Sequence, residues 1–151
     1  MCGIAGELRF DRAPDGAAVR RMASALRHRG PDAEGFFADP RVVLGHRRLS
    51  ILDLSGGGQP MERDGCTIAF NGEAYEHATL RDELVRRGHT FTTRSDTEVV
   101  LRAYLEWRDA FVERVQGMFA LAIWDARAEK LVLARDRLGK KPLYYALSRG
   151  S

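Results

Sequence analysis

Met1-Cys2-Gly3-Ile4-Ala5-Gly6 is the stretch on which the reading of this chain turns. A thiol stands directly behind the initiator methionine, and small or apolar residues follow it. Removal of Met1 would give Cys2 both a sulfur nucleophile and a free α-amine. Such an amine titrates at roughly 7.7–8.0 in model peptides, so it can act as a general base near neutral pH. A terminal amine that activates its own residue's thiol is a known route to a nucleophile. Position alone also allows a plainer reading, in which Cys2 is a small residue that favours methionine removal.

Working outward, Gly3 to Phe10 predicts a strand, broken by Asp11-Arg12-Ala13-Pro14-Asp15-Gly16. Val19, Met22, Ala23 and Leu26 recur at helical spacing, and Arg29-Gly30-Pro31-Asp32 ends that helix, Gly30 as a C-cap. Phe36-Phe37 and Val42-Val43-Leu44 predict two strands around a turn at Asp39-Pro40. Leu54 to Pro60 reads as a glycine-rich loop without a phosphate-binding lysine. Thr67 to Phe70 predicts a strand that delivers Asn71-Gly72-Glu73. Leu80 and Leu84 mark a helix ending at Gly88. Ser95-Asp96-Thr97-Glu98 has capping-box spacing and opens another helix through Trp107. Strands follow at Met118 to Trp124, Leu131 to Ala134 and Leu143 to Leu147, the first two joined as a hairpin. Strands at both ends of a helical middle point to layered α+β packing.

The length of 151 residues suits one domain, and 44% hydrophobic with 30% charged residues fits a globular one. No apolar run approaches the roughly 20 residues that span a bilayer. No basic-then-apolar leader opens the chain, so the expected compartment is cytoplasmic. Two cysteines make neither a disulfide framework nor a metal quartet, and Cys66 reads as a buried, inert strand residue. His28, His46, His77 and His89 show no zinc-binding spacing. The net charge of +3 is small and its charges are interspersed, which argues against nucleic acid as a partner. Arg20-Arg21, Arg47-Arg48 and Arg86-Arg87 are expected on solvated faces, with Arg48 as the exception below.

The motifs in chain order are Met1 to Gly6, Arg29-Gly30-Pro31-Asp32, Leu44 to Ile51, Gly56 to Met61, Asn71-Gly72-Glu73, Ser95 to Glu98, Gly117 to Ala120 and Ala134 to Gly139. Together they resemble the class II glutamine amidotransferases, the amino-terminal-nucleophile (Ntn) glutaminases. The glutaminase half of glutamine-hydrolysing asparagine synthetase is the most similar member. The resemblance implies an Ntn-hydrolase fold, a four-layer α/β/β/α sandwich within the α+β class. It implies hydrolysis of glutamine to glutamate and ammonia through a Cys2 thioester, with Asn71 and Gly72 as the oxyanion hole. It further implies that Arg48 clamps the substrate α-carboxylate, that Glu73 and Asp96 hold the α-ammonium, and that Leu49 and Ile51 complete the substrate site. Taken singly, Asn71-Gly72 also suits a hairpin turn and Asp96 also suits a helix N-terminus.

Two departures qualify the resemblance. Where the family continues Asn71-Gly72-Glu73 with isoleucine, tyrosine and asparagine, this chain has Ala74, Tyr75 and Glu76. Ala74 is expected to thin the packing behind the oxyanion residues, and Glu76 to add a carboxylate near them. The chain also stops at Ser151, where the family continues into a synthetase domain. The expectation is therefore a single domain over residues 1–151, incomplete at its carboxy terminus, marginally stable and prone to associate. Implied partners are glutamine, a synthetase domain or subunit and, for a fragment, a second copy of the chain as a homo-oligomer. No cofactor is expected here, since ATP and Mg belong to the synthetase domain. The competing reading is a binding or regulatory remnant that keeps the motifs without the chemistry.

Overall fold

The computed structural model describes residues 1–49 and 57–147. Among the described residues, seven strands form two antiparallel sheets. The first sheet holds β1 (Gly3–Leu8), β2 (Ala33–Ala38) and β3 (Val42–Arg48) in the order β1-β3-β2. The second holds β4 (Met61–Arg63), β5 (Cys66–Tyr75), β6 (Gln116–Asp125) and β7 (Lys130–Arg135) in chain order. Helix α1 (Gly16–Ala25) covers the first sheet, packing on β1 and β3. Helix α3 (Asp96–Trp107) lies on the second with α2 (His77–Arg86) packed beside it, and a short α4 (Phe111–Arg114) leads into β6. The layers thus run helix, sheet, sheet, helix.

Alternation along each strand explains the order. On β6, Phe119, Leu121 and Ile123 join Val99, Val100 and Tyr104 of α3 in the larger core. Their neighbours Ala122 and Trp124 point the other way and meet Val42 and Leu44 of β3, closing the space between the sheets. Strands covered on both faces read as unbroken apolar runs, which is why Met118 to Trp124 shows no polar alternation. Among the described residues no helix is long and apolar enough to cross a membrane.

Local chemistry sets most boundaries. Asp15 caps α1 by accepting from Ala18 N–H at 2.9 Å, and Ser95 caps α3 by accepting from Thr97 N–H at 3.1 Å. Gly88, at φ +96°, takes the left-handed position just after α2. Gly30 does not cap α1, whose C-cap is Leu26. Gly30 is required instead by contact, because a Cβ there would come within 2.6 Å of the Arg48 amide nitrogen and closer still to the Arg47 carbonyl. The capping box is half formed. Glu98 does not reach back to Ser95 but lies fully buried, accepting from both Thr92 and Thr93 amides and pairing with Arg63 at 3.2 Å. Arg47 is no solvated residue either, since it pairs with Glu34 at 2.6 Å and donates to the Ala23 carbonyl.

Leu143–Leu147 is not a strand. It pairs with nothing among the described residues, and Tyr144, Tyr145 and Leu147 are exposed. An apolar, β-prone run becomes a strand only when a neighbouring edge accepts its hydrogen bonds.

Candidate active site

One cavity of about 150 Å³ gathers most of the candidate residues. Cys2, Arg48 and Leu49 line it from the first sheet, and Asn71, Gly72, Glu73 and Met118 from the second. Asp96 and Thr97 reach it from the start of α3, with Gln59 and Lys141 completing the wall. Ile51 and the loop expected at Leu54 to Gly56 lie outside the described residues. A wider hollow of about 520 Å³ beside the β2–β3 turn, near Arg41 and Trp124, has no cysteine, serine or threonine among its described lining residues.

Cys2 stands just ahead of β1, its Sγ 3.9 Å from the Leu49 carbonyl. Arg29 fixes this terminus by donating from Nε to the Cys2 carbonyl at 3.2 Å. Cys66, by contrast, is fully buried at the start of β5, and burial pushes its thiol pKa up. The two thiols are free and differ in access.

Asn71 and Gly72 do not form a hairpin turn; they lie inside β5, opposite Ala120 and Phe119. Backbone register then decides what Gly72 can do. Phe119 exchanges hydrogen bonds with Asp136, receiving from Asp136 N–H at 2.8 Å and donating to its carboxylate at 3.2 Å. The polar groups of Phe119 therefore face away from β5, and those of its partner Gly72 face away from β6. By the same two-residue alternation, Ile68, Phe70, Gly72 and Ala74 all present their amides to one outer edge. Ile68 is covered by Met61 of β4. The Phe70 amide donates to Gln59 Oε1 at 2.6 Å, and the Ala74 amide to Asp96 Oδ2 at 3.0 Å. Gly72 falls between them, and among the described residues nothing takes its N–H. That donor faces the cavity holding Cys2.

Electrostatics divide the cavity. Arg48 and Lys141 bring positive charge, Glu73 and Asp96 negative. Asp96 is 6% exposed, and burial raises its carboxyl pKa above the ordinary value. Glu73 adds a smaller push, opposed by the Ala74 and Thr97 amides and by His77. Glu76 sits exposed at the N-cap of α2 in the left-handed region. Ala74 is buried in the main core. His46, buried on β3, approaches the Phe70 carbonyl through Nε2 at 3.1 Å, and burial lowers its pKa to about 4. It is neutral at working pH, with Nε2–H as donor. Among the described residues no group of three or more His, Cys, Asp or Glu could hold a metal ion. Gln59 and Lys141 line the cavity although no local signal marks either as a site residue; Gln59 lies within Gly56 to Met61, where neighbouring residues do not show which way its amide points.

The two facing sheets between helices, with Cys2 at the cavity, are the arrangement of the α+β Ntn hydrolases. The solved glutamine phosphoribosylpyrophosphate amidotransferase from B. subtilis, complexed with ADP and GMP, shares this fold. Its TM-score is 0.66 at 20% identity, over 89% of this chain and 36% of that one. The chain matches the glutamine amidotransferase domain over residues 1–151, and it belongs to that family. It is 43% identical to asparagine synthetase [glutamine-hydrolyzing] 3 of Bacillus subtilis (strain 168), covering 96% of this chain and 25% of that protein. Asparagine synthetase B [glutamine-hydrolyzing] of Escherichia coli (strain K12) is 42% identical, over 95% of this chain and 26% of that protein. The chain thus spans about a quarter of the length of these curated relatives.

Proposed function

We propose that this domain hydrolyses glutamine to glutamate and ammonia through a thioester on Cys2. The observation that carries the reading is the uncapped Gly72 amide, set in a row of capped edge amides and facing the cavity that Cys2 lines. Once Met1 is removed, the Cys2 amine takes the thiol proton and sulfur attacks the carboxamide carbon. Negative charge then collects on the amide oxygen, where the Gly72 N–H and the Asn71 side-chain amide would receive it. Donors of this kind are typically worth about 10²–10³ each in turnover. The protonated amine returns its proton to the leaving nitrogen, ammonia departs, and water hydrolyses the thioester to release glutamate.

Binding would use the cavity's divided charge. Arg48 takes the α-carboxylate through its planar fork. Glu73 and Asp96 take the α-ammonium, while Leu49 and Ile51 flank the substrate. The released ammonia would serve ATP-dependent amidation of aspartate or a related acid by a synthetase domain or subunit. ATP and Mg would act there, with no cofactor in this domain. The cytoplasm is the compartment this reading assigns, in keeping with two unpaired thiols.

A diazoketone analogue of glutamine tests the assignment. It should label Cys2 in protein whose intact mass shows loss of Met1, and Cys2→Ala should abolish labelling. Modification confined to Cys66, or robust glutamine hydrolysis by Cys2→Ala, would overturn it.

A further inference from the structure

β5 has an unusual problem at its outer edge. Its cover strand β4 is three residues long and stops opposite Ile68, two residues short of Phe70. The Phe70 amide and carbonyl would be left without strand partners beside the cavity, and buried backbone groups rarely stay unpaired. Two side chains fill the gap. Gln59 Oε1 accepts from the amide at 2.6 Å, and His46 Nε2 donates to the carbonyl at 3.1 Å. The amide can only donate, so the Gln59 atom facing it is the oxygen. Its Nε2 then donates to Thr97 Oγ1 at 3.2 Å, on the residue after Asp96. The backbone of Gln59 is itself held against the first sheet, since a Cβ at Gly35 would come within 3.1 Å of its carbonyl carbon and nearer still to the oxygen.

We propose that Gln59, assisted by His46, is a positioning residue for the oxyanion hole. It ties the β5 edge two residues before Gly72 to the start of α3 beside Asp96. The donor for the developing oxyanion and the carboxylate for the α-ammonium are thereby held at a fixed separation. This inference rests on the glutaminase reading above and adds a residue to it that touches neither the reacting carbon nor the thiol. Gln59 sets where the Gly72 amide points once charge forms on oxygen. Its loss should therefore appear in turnover more than in ground-state binding.

The 151-residue chain tests this through coupled glutamate assays, calorimetric titration with glutamate and thermal melts. Gln59→Met keeps the size of the side chain and removes both hydrogen bonds. It is expected to lower kcat by about 10- to 100-fold, the range for a slightly misplaced donor, with KM and the glutamate Kd within about threefold. Gln59→Glu keeps an acceptor for the Phe70 amide, and the Thr97 hydroxyl can turn to donate to it. This variant should recover kcat to within about fivefold of wild type. Thr97→Val removes only the far anchor and should fall between the two. A folded Gln59→Met with wild-type kcat overturns the proposal. So does an equal loss of kcat, KM and glutamate affinity that Gln59→Glu does not rescue. Should Gln59→Met fail to fold, an unchanged kcat in Thr97→Val overturns it instead. A wild-type chain that neither hydrolyses glutamine nor binds glutamate would overturn the glutaminase reading beneath it, a result distinct from an active wild type indifferent to Gln59.

Discussion

Replacing Gly72 with alanine adds one methyl group at a place where two strands come closest. Gly72 and Phe119 form a pair whose hydrogen bonds point outward, the kind in which Cα atoms approach to about 4.5 Å. A Cβ on residue 72 would stand 2.6 Å from Phe119 Cα and 2.7 Å from its Cβ, and nearer still to the Met118 carbonyl oxygen. Ordinary contact begins near 3.4 Å, and the obstacles are mostly backbone rather than the tip of a flexible side chain. The strands must therefore part by about 1 Å. Overpacking of this kind costs about 1–3 kcal/mol, which for a chain of this size lowers Tm by roughly 2–12 °C. The displaced atoms include the amide that faces the cavity, and a 1 Å misplacement of a catalytic group can cost about 10²-fold. Gly72→Ala should thus lose at least about 10²-fold in kcat for glutamine hydrolysis, with a lower melting temperature by circular dichroism. A variant that melts with wild type and turns over within threefold of it would refute both the contact argument and the role of the amide.

Substrate clamping and oxyanion stabilisation should separate kinetically. Arg48→Lys keeps the charge but loses the fork and should mainly raise KM, whereas Asn71→Ala should mainly lower kcat by about 10²-fold. The opposite pattern in steady-state assays would reverse the two assignments. Asp96 links function to pH. Burial raises its pKa above 3.8, so the folded state holds that proton more tightly than the unfolded one. Ionisation therefore destabilises the fold, in full above the raised pKa; the penalty fades as pH falls from there towards 3.8 and is absent below it. Asp96→Asn should accordingly melt above wild type at neutral pH, with the gap closing in acid, while losing glutamine affinity. Melts across that range in which the variant is uniformly less stable would contradict it. In the wild type, KM for glutamine should begin to rise at a higher pH than an ordinary carboxylate would give.

Whatever depends on near neighbours could be read from the residues in order. Val19, Ala23 and their period placed α1, Ser95 fixed the start of α3 through a bond two residues away, and Gly88 stopped α2 by its backbone freedom. The short hairpin turns, after Ala38 and after Asp125, carried their own local signals. The motif order also pointed to Cys2, Arg48, Asn71, Gly72 and Asp96, which the fold brings to one cavity. Contacts over long sequence separation lay beyond that reach. Gln59 meets Phe70 and Thr97, His46 meets Phe70, and Glu98 turns from its expected cap to the Thr92 and Thr93 amides and to Arg63. Gly30 looked like a helix stop, yet its Cβ is excluded by backbone seventeen residues away. Leu143–Leu147 had the composition of a strand and is none. Side-chain type sets what a residue can bond or bury, and sequence carries that directly. Which backbone edge is left uncovered, and so which amide is free to meet a substrate, is a property of strand register. Only the packed sheets decide it.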